Sequence, residues 1–106
     1  MTKDTLKVLK RLYDTYLKRL SCGMARSDAR SFGSSDSILT EIYEDMRIED
    51  LDDCLRELHR EGYMICDFGS DSIADSELTT KAIEELENKT KNQILSIADF
   101  LSKFIP

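Results

Sequence analysis

The spacing of apolar residues changes at Gly62, and that change commits the chain to a mixed architecture. Upstream, Ile48, Leu51, Cys54, Leu55 and Leu58 recur at three- and four-residue steps, the period of a helix with one buried face. Downstream, from Tyr63 to Phe68, Tyr63, Ile65 and Asp67 would face one way and Met64, Cys66 and Phe68 the other, as in a strand. A glycine between them can close the helix, because it enters the left-handed conformation at no steric cost. Gly69-Ser70-Asp71-Ser72 then reads as a turn, and Ile73 to Leu78 as the returning strand of a hairpin.

The remaining periodicities are helical. Leu6, Leu9, Leu12, Tyr13, Tyr16, Leu17 and Leu20 predict a first helix over 4–20, capped by Thr2 or Asp4 and closed at Cys22-Gly23. Residues 23–35 read as a loop with a short extended piece at Ala29 to Phe32. Ser34 or Ser35 would cap a second helix over 36–45, with Ile38, Leu39, Ile42 and Tyr43 facing inward. After the hairpin, Thr79 or Thr80 would cap a helix carrying Ala82, Ile83 and Leu86 and closing at Asn88. The polar joint Lys89-Thr90-Lys91 would lead to a last helix with Ile94, Ile97, Ala98, Leu101, Phe104 and Ile105 on one stripe. The expected fold is mostly α with a small β-hairpin: a domain over 1–88 and a C-terminal helix over 89–106.

A chain of 106 residues, 41% hydrophobic and 34% charged, suits one such domain. No apolar run approaches the ~20 residues needed to span a bilayer, and Lys, Arg and Asp interrupt the first residues, so no signal-peptide core and no membrane partner are expected. The cytoplasm is the expected location. Cys22, Cys54 and Cys66 lack zinc or redox spacing, and the latter two sit among apolar residues as small hydrophobes.

The chemistry of catalysis is sparse. His59, the one histidine, sits beside Leu55 and Leu58 without a partner in sequence and reads as a boundary residue. No nucleophile elbow, phosphate loop or H-E-x-x-H motif occurs. Asp52-Asp53 and Asp71 with Asp75 lack the spacing of a calcium loop and read as surface charge, so no metal, cofactor or enzymatic activity is expected.

Two segments carry a resemblance. Ile48-Glu49-Asp50-Leu51 with Leu55-Arg56-Glu57-Leu58-His59-Arg60-Glu61-Gly62-Tyr63-Met64-Ile65 resembles the recognition helix and first wing strand of winged helix-turn-helix proteins, where small bacterial regulators often read L-x-x-L-x-x-x-G-Y/L-I. Leu78-Thr79-Thr80-Lys81-Ala82-Ile83-Glu84-Glu85-Leu86-Glu87 is similar to the L-T-x-K-G-I-x-x-L-E that follows the wing, with Ala82 where glycine is common. Coverage is roughly residues 4–88. The resemblance implies a non-catalytic regulator in transcription or another DNA-linked process, with the third helix in the major groove and the wing near a minor groove or the backbone. It also implies a homodimer, because extra C-terminal helices commonly pair such subunits; Ile94, Ile97, Leu101, Phe104 and Ile105 would form that interface, or fold back on the first helix.

Charge is sharply segregated. Residues 1–33 hold eight Lys/Arg and three acids, residues 34–88 hold four Lys/Arg and 17 acids, and residues 89–106 hold three Lys and Asp99, giving +5, −13 and +2. The third helix places Glu49, Asp50, Asp52, Asp53 and Glu57 against Arg47, Arg56 and Arg60. From Asp67 to Leu78 there are four carboxylates and no Lys or Arg. Duplex DNA rewards neutralised phosphates, and minor-groove contacts typically use arginine or lysine. First-turn acids also offset the helix macrodipole, which accounts for Glu49 and Asp50 but less well for the others.

If DNA is bound directly, Arg26, Arg30, Arg47, Arg56 and Arg60 are the expected contacts. Lys3, Lys7, Lys10, Arg11 and Lys18 line one side of the first helix, as a solvated face or as a contact for phosphate or a partner. The alternative is an acidic interaction module in which Glu49, Asp50, Asp52, Asp53 and Glu57 meet a basic protein surface. A small-molecule sensor with a pocket at Tyr13, Tyr16 and Phe100 ranks below both.

Overall fold

A computed structural model describes residues 1–43, 45–69 and 72–93. Helix α1 runs Lys3–Ser21, α2 Arg26–Ala29, α3 Ser35–Glu41 and α4 Ile48–Arg60; strands β1, Met64–Phe68, and β2, Ile73–Leu78, form an antiparallel hairpin, and α5 spans Thr80–Gln93. The layout is mostly α with a small hairpin, winged-helix-like in element order.

The expected caps are present. Thr2 Oγ1 accepts from the Thr5 amide (3.2 Å), Ser34 Oγ from the Ser37 amide (3.2 Å), and Thr79 Oγ1 from the Ala82 amide (3.2 Å), each satisfying a helix-end donor. Gly23 and Gly62 follow α1 and α4 with φ of 91° and 81°, the region where a Cβ would be strained. α4 has no side-chain cap, and Glu49 and Asp50 in its first turn complement the dipole instead.

Three boundaries differ from the sequence reading. The loop over 23–35 contains α2, and the extended piece expected there narrows to a bridge between Ser31 and Glu77. Around that bridge the Phe32 amide donates to the Ser76 carbonyl (2.9 Å) and the Leu78 amide to the Arg30 carbonyl (3.0 Å), so the loop lies along the outer edge of β2. The second predicted helix ends at Glu41 rather than Asp45. Arg11 Nη1 donates to the Ile42 carbonyl (2.9 Å), and the Tyr43 hydroxyl to the Lys7 carbonyl (3.1 Å), drawing the chain across to α1. α5 does not stop at Asn88 but continues through Lys89-Thr90-Lys91 to Gln93. Polarity alone does not end a helix, and this joint has no glycine or proline to do so. The stripe Ile94, Ile97, Leu101, Phe104 and Ile105, and Phe100, lie outside the described residues.

The core gathers one face of each element. Leu12 of α1, Ile38 of α3, Leu51, Leu55 and Leu58 of α4, Met64 of β1, and Ile73 and Leu78 of β2 are all essentially solvent-free and belong to one cluster. Each such side chain contributes about 1.5–3 kcal/mol by leaving water. α4 is central to this packing, against α1 on one side and α3 and β1 on others. Its inner stripe is therefore fixed, and the opposite stripe must face outward.

Candidate functional site

That outward stripe consists of Glu49, Asp53, Arg56 and Arg60, spaced four, three and four residues apart and all exposed. The first two turns present carboxylates and the last presents guanidinium groups. Arg56 stands over the Phe68 ring (5.6 Å to its centroid), and His59 meets the same ring edge-on (5.0 Å). The C-terminal end of α4 is thus tied to the hairpin through Phe68.

His59 has a structural job as well. Its Nδ1 accepts from the Cys66 amide (3.2 Å), covering one of the backbone donors that β1 would otherwise present at the sheet edge. The boundary position expected for it is occupied, with the ring half-buried.

The hairpin has two unlike faces. Met64, Cys66, Ser76 and Leu78 point into the protein; Ile65, Asp67, Ala74 and Asp75 are exposed, with Glu77 partly so. In the register, Ile65 lies opposite Glu77 and Asp67 opposite Asp75, with the ladder shifting just beyond Asp67. Asp75 Oδ1 accepts from the Ser76 amide (3.0 Å). Among the described residues no ion pair includes Asp67, Asp75 or Glu77.

Other predicted site residues separate into structural and free groups. Glu57, expected on an acidic partner face, turns inward to the start of α1: Oε1 accepts from the Thr2 amide (3.0 Å) and Oε2 from the Thr5 hydroxyl (3.0 Å), Thr5 being buried. Asp50 and Asp53 line the same cleft with Asp4 and Cys54. Asp52 is half-buried, with Oδ1 shielded and unbonded among the described residues.

Arg30 is likewise structural, its Nε donating to the Leu78 carbonyl (2.8 Å) and its Nη2 to Thr80 Oγ1 (3.2 Å), so it clips β2 to α5. Arg26 is exposed on α2, while Arg47 is exposed and 3.8 Å from Glu49. The five arginines therefore do not form one surface: Arg56 and Arg60 share the α4 stripe, and Arg30 belongs to the frame.

The basic side of α1 lies opposite its buried face. Lys10 pairs with Asp14 (3.1 Å), and Arg11 covers the Tyr43 ring (4.8 Å) while bonding Ile42; Lys3, Lys7 and Lys18 are exposed. An aromatic pair, Tyr13 and Tyr16, stacks at 6.0 Å on the buried side of the same helix. Both rings are enclosed by the core.

Burial sets the ionisation of the interior groups. It pushes the Cys66 thiol up to about 11 and raises Cys54, against a partly offsetting hydrogen bond from Thr5. Cys22 is exposed and free. Tyr13 and Tyr43 are raised to about 12 chiefly by burial, and Tyr63 to about 12 chiefly by its hydrogen bond to Glu85 (2.7 Å). These groups remain protonated and supply no nucleophile at neutral pH.

Among the described residues no cluster of His, Cys, Asp or Glu is arranged to hold a metal ion, and no helix is long and apolar enough to cross a membrane. No protein-family model, curated protein or solved structure matches the chain.

Proposed function

We propose that the protein is a non-catalytic winged-helix regulator in transcription or another DNA-linked process, and that its α4–hairpin face engages a basic protein partner rather than the duplex itself. The layout supports the first half: in winged-helix proteins the helix in the place of α4 and the hairpin after it make the contacts that carry function. The second half rests on one observation. The outward stripe of α4 opens with Glu49 and Asp53, and the outward hairpin face carries Asp67, Asp75 and Glu77, none of which is in an ion pair among the described residues.

Duplex DNA, with one negative charge per ~1.7 Å of axis, is repelled by such a face. A basic protein surface is attracted by it, and complementarity of this kind sets specificity and association rate. Titration of a labelled duplex of arbitrary sequence at low salt tests the reading. The expected result is no complex in the micromolar range. A salt-sensitive complex, lost when Arg26, Arg30, Arg47, Arg56 and Arg60 are replaced together by alanine in a variant that still folds, would favour direct DNA binding instead.

A further inference from the structure

We infer that the outward face of the hairpin is a docking site for a short cationic protein segment, one that lays a bulky apolar side chain on Ile65 and reaches Asp67, Asp75 and Glu77 with lysines or arginines. This rests on the protein-partner reading above and assigns its central contact. Ile65 is 56% exposed, the most open of the large apolar side chains among the described residues. A lone exposed isoleucine is ordinary; this one stands opposite Glu77, two positions before Asp67, on strands whose charged residues are all carboxylates, with Lys81 over the Tyr63 ring as the nearby cation at the start of β1.

The register makes the arrangement costly in the free protein. Like charges directly opposite each other destabilise an antiparallel pair, and Asp67 is directly opposite Asp75. The one hydrogen bond to Asp75, from the Ser76 amide, answers part of one carboxylate. Cations from a partner would relieve the repulsion while its apolar side chain removed Ile65 from water.

The approach is by face rather than by edge. Strand addition to β1 would need its outer amides, and the Cys66 amide already donates to His59 Nδ1. On the other edge of the hairpin, the chain around Ser31 lies along β2. The outward face, with Ile65, Asp67 and Asp75 exposed, is open to a partner.

The test uses the full chain labelled for NMR and titrated with two probes: a lysine peptide with one central leucine, and the same peptide with glycine in that place. The expected result is amide shifts centred on Ile65, Asp67, Asp75 and Glu77, with the leucine peptide binding about tenfold tighter than the glycine peptide. Asp75→Lys should raise the thermal midpoint, because it replaces a repelling pair by an attracting one, and should also weaken the leucine peptide by about tenfold. A residue of purely structural importance would not move these two readouts in opposite directions.

Equal affinity for the two peptides, no binding of either, or an Asp75→Lys variant that binds as well as the native chain would overturn the assignment. Shifts centred on Glu49, Asp50 and Asp53 would also overturn it while leaving a protein partner for α4 in place. Duplex binding by the native chain sinks the protein-partner reading itself, whatever the peptides do.

Discussion

Where α4 meets α1, Glu57 accepts from the Thr2 amide and the buried Thr5 hydroxyl; across the molecule, on the outward face of the hairpin, Asp67 faces Asp75 with neither in an ion pair among the described residues. Both regions are acidic in sequence, but in the first the charge holds elements together and in the second it works against the pairing it sits on. The same contrast separates the arginines, since Arg30 clips β2 to α5 while Arg60 stands exposed on the α4 stripe. Net charge by segment therefore says little about function until each charge is assigned to the frame or to the free surface. On the hairpin, the carboxylates that the frame does not use share its outward face.

The contrast can be broken most severely with alkali. Tyr13 of α1 and Tyr43, which packs across to that helix, hold their phenols at about 12 chiefly through burial, whereas an unfolded chain titrates near the ordinary value of 10. A raised folded value means that this stabilisation is complete below pH 10 and is lost as pH climbs through 12. Denaturant midpoints followed from pH 9 to 12 should fall across that window. A flat midpoint would show that the packed side is not closed.

Next in size is Glu57→Ala. It deletes two charge-assisted hydrogen bonds and leaves the Thr5 hydroxyl with the Thr2 hydroxyl as a partner (2.9 Å), at a cost of roughly 2–3 kcal/mol in urea denaturation. Arg30→Ala should cost roughly 1.5–2 kcal/mol, because the Leu78 carbonyl loses its charged donor while some water can reach the site. The smallest effect has the opposite sign. Asp75→Lys should stabilise the protein by about 0.2–1 kcal/mol, and a loss of stability there would mean that the hairpin carboxylates belong to the frame after all.

Much of the fold was legible because its signals are local. The switch of period at Gly62 located α4 and β1, the turn residues that follow it set off β2, whose bounds match the predicted strand, and the caps at Thr2, Ser34 and Thr79 act as the sequence suggests. α2 was hidden because four residues with one buried alanine carry no periodicity. The end of α3 and the run of α5 through Lys89-Thr90-Lys91 were misjudged for different reasons. One depends on Arg11 and Tyr43 reaching across to and from α1, and the other on treating polarity as a stop.

The candidate site was legible in sign but not in assignment. Spacing alone puts Glu49, Asp53, Arg56 and Arg60 on one stripe, and alternation puts Ile65 with Asp67. That this hairpin face points outward follows only from the burial of Met64 and Cys66 on the other. Glu57 lies three residues from the buried Cys54 and next to Leu58, a position at the border of the inner stripe that hinted at its inward turn. Arg30 gave no such hint, because its partners Leu78 and Thr80 are far away in sequence.

The central claim is that the sign of charge on the α4–hairpin face, and not its shape, keeps the duplex away. The most direct measurement is a low-salt titration of one labelled duplex with the native chain and with a variant carrying Asp67→Lys, Asp75→Lys and Glu77→Lys together. The account predicts no complex for the native chain and a salt-sensitive complex for the variant. Binding of the native chain with equal or greater affinity would contradict it.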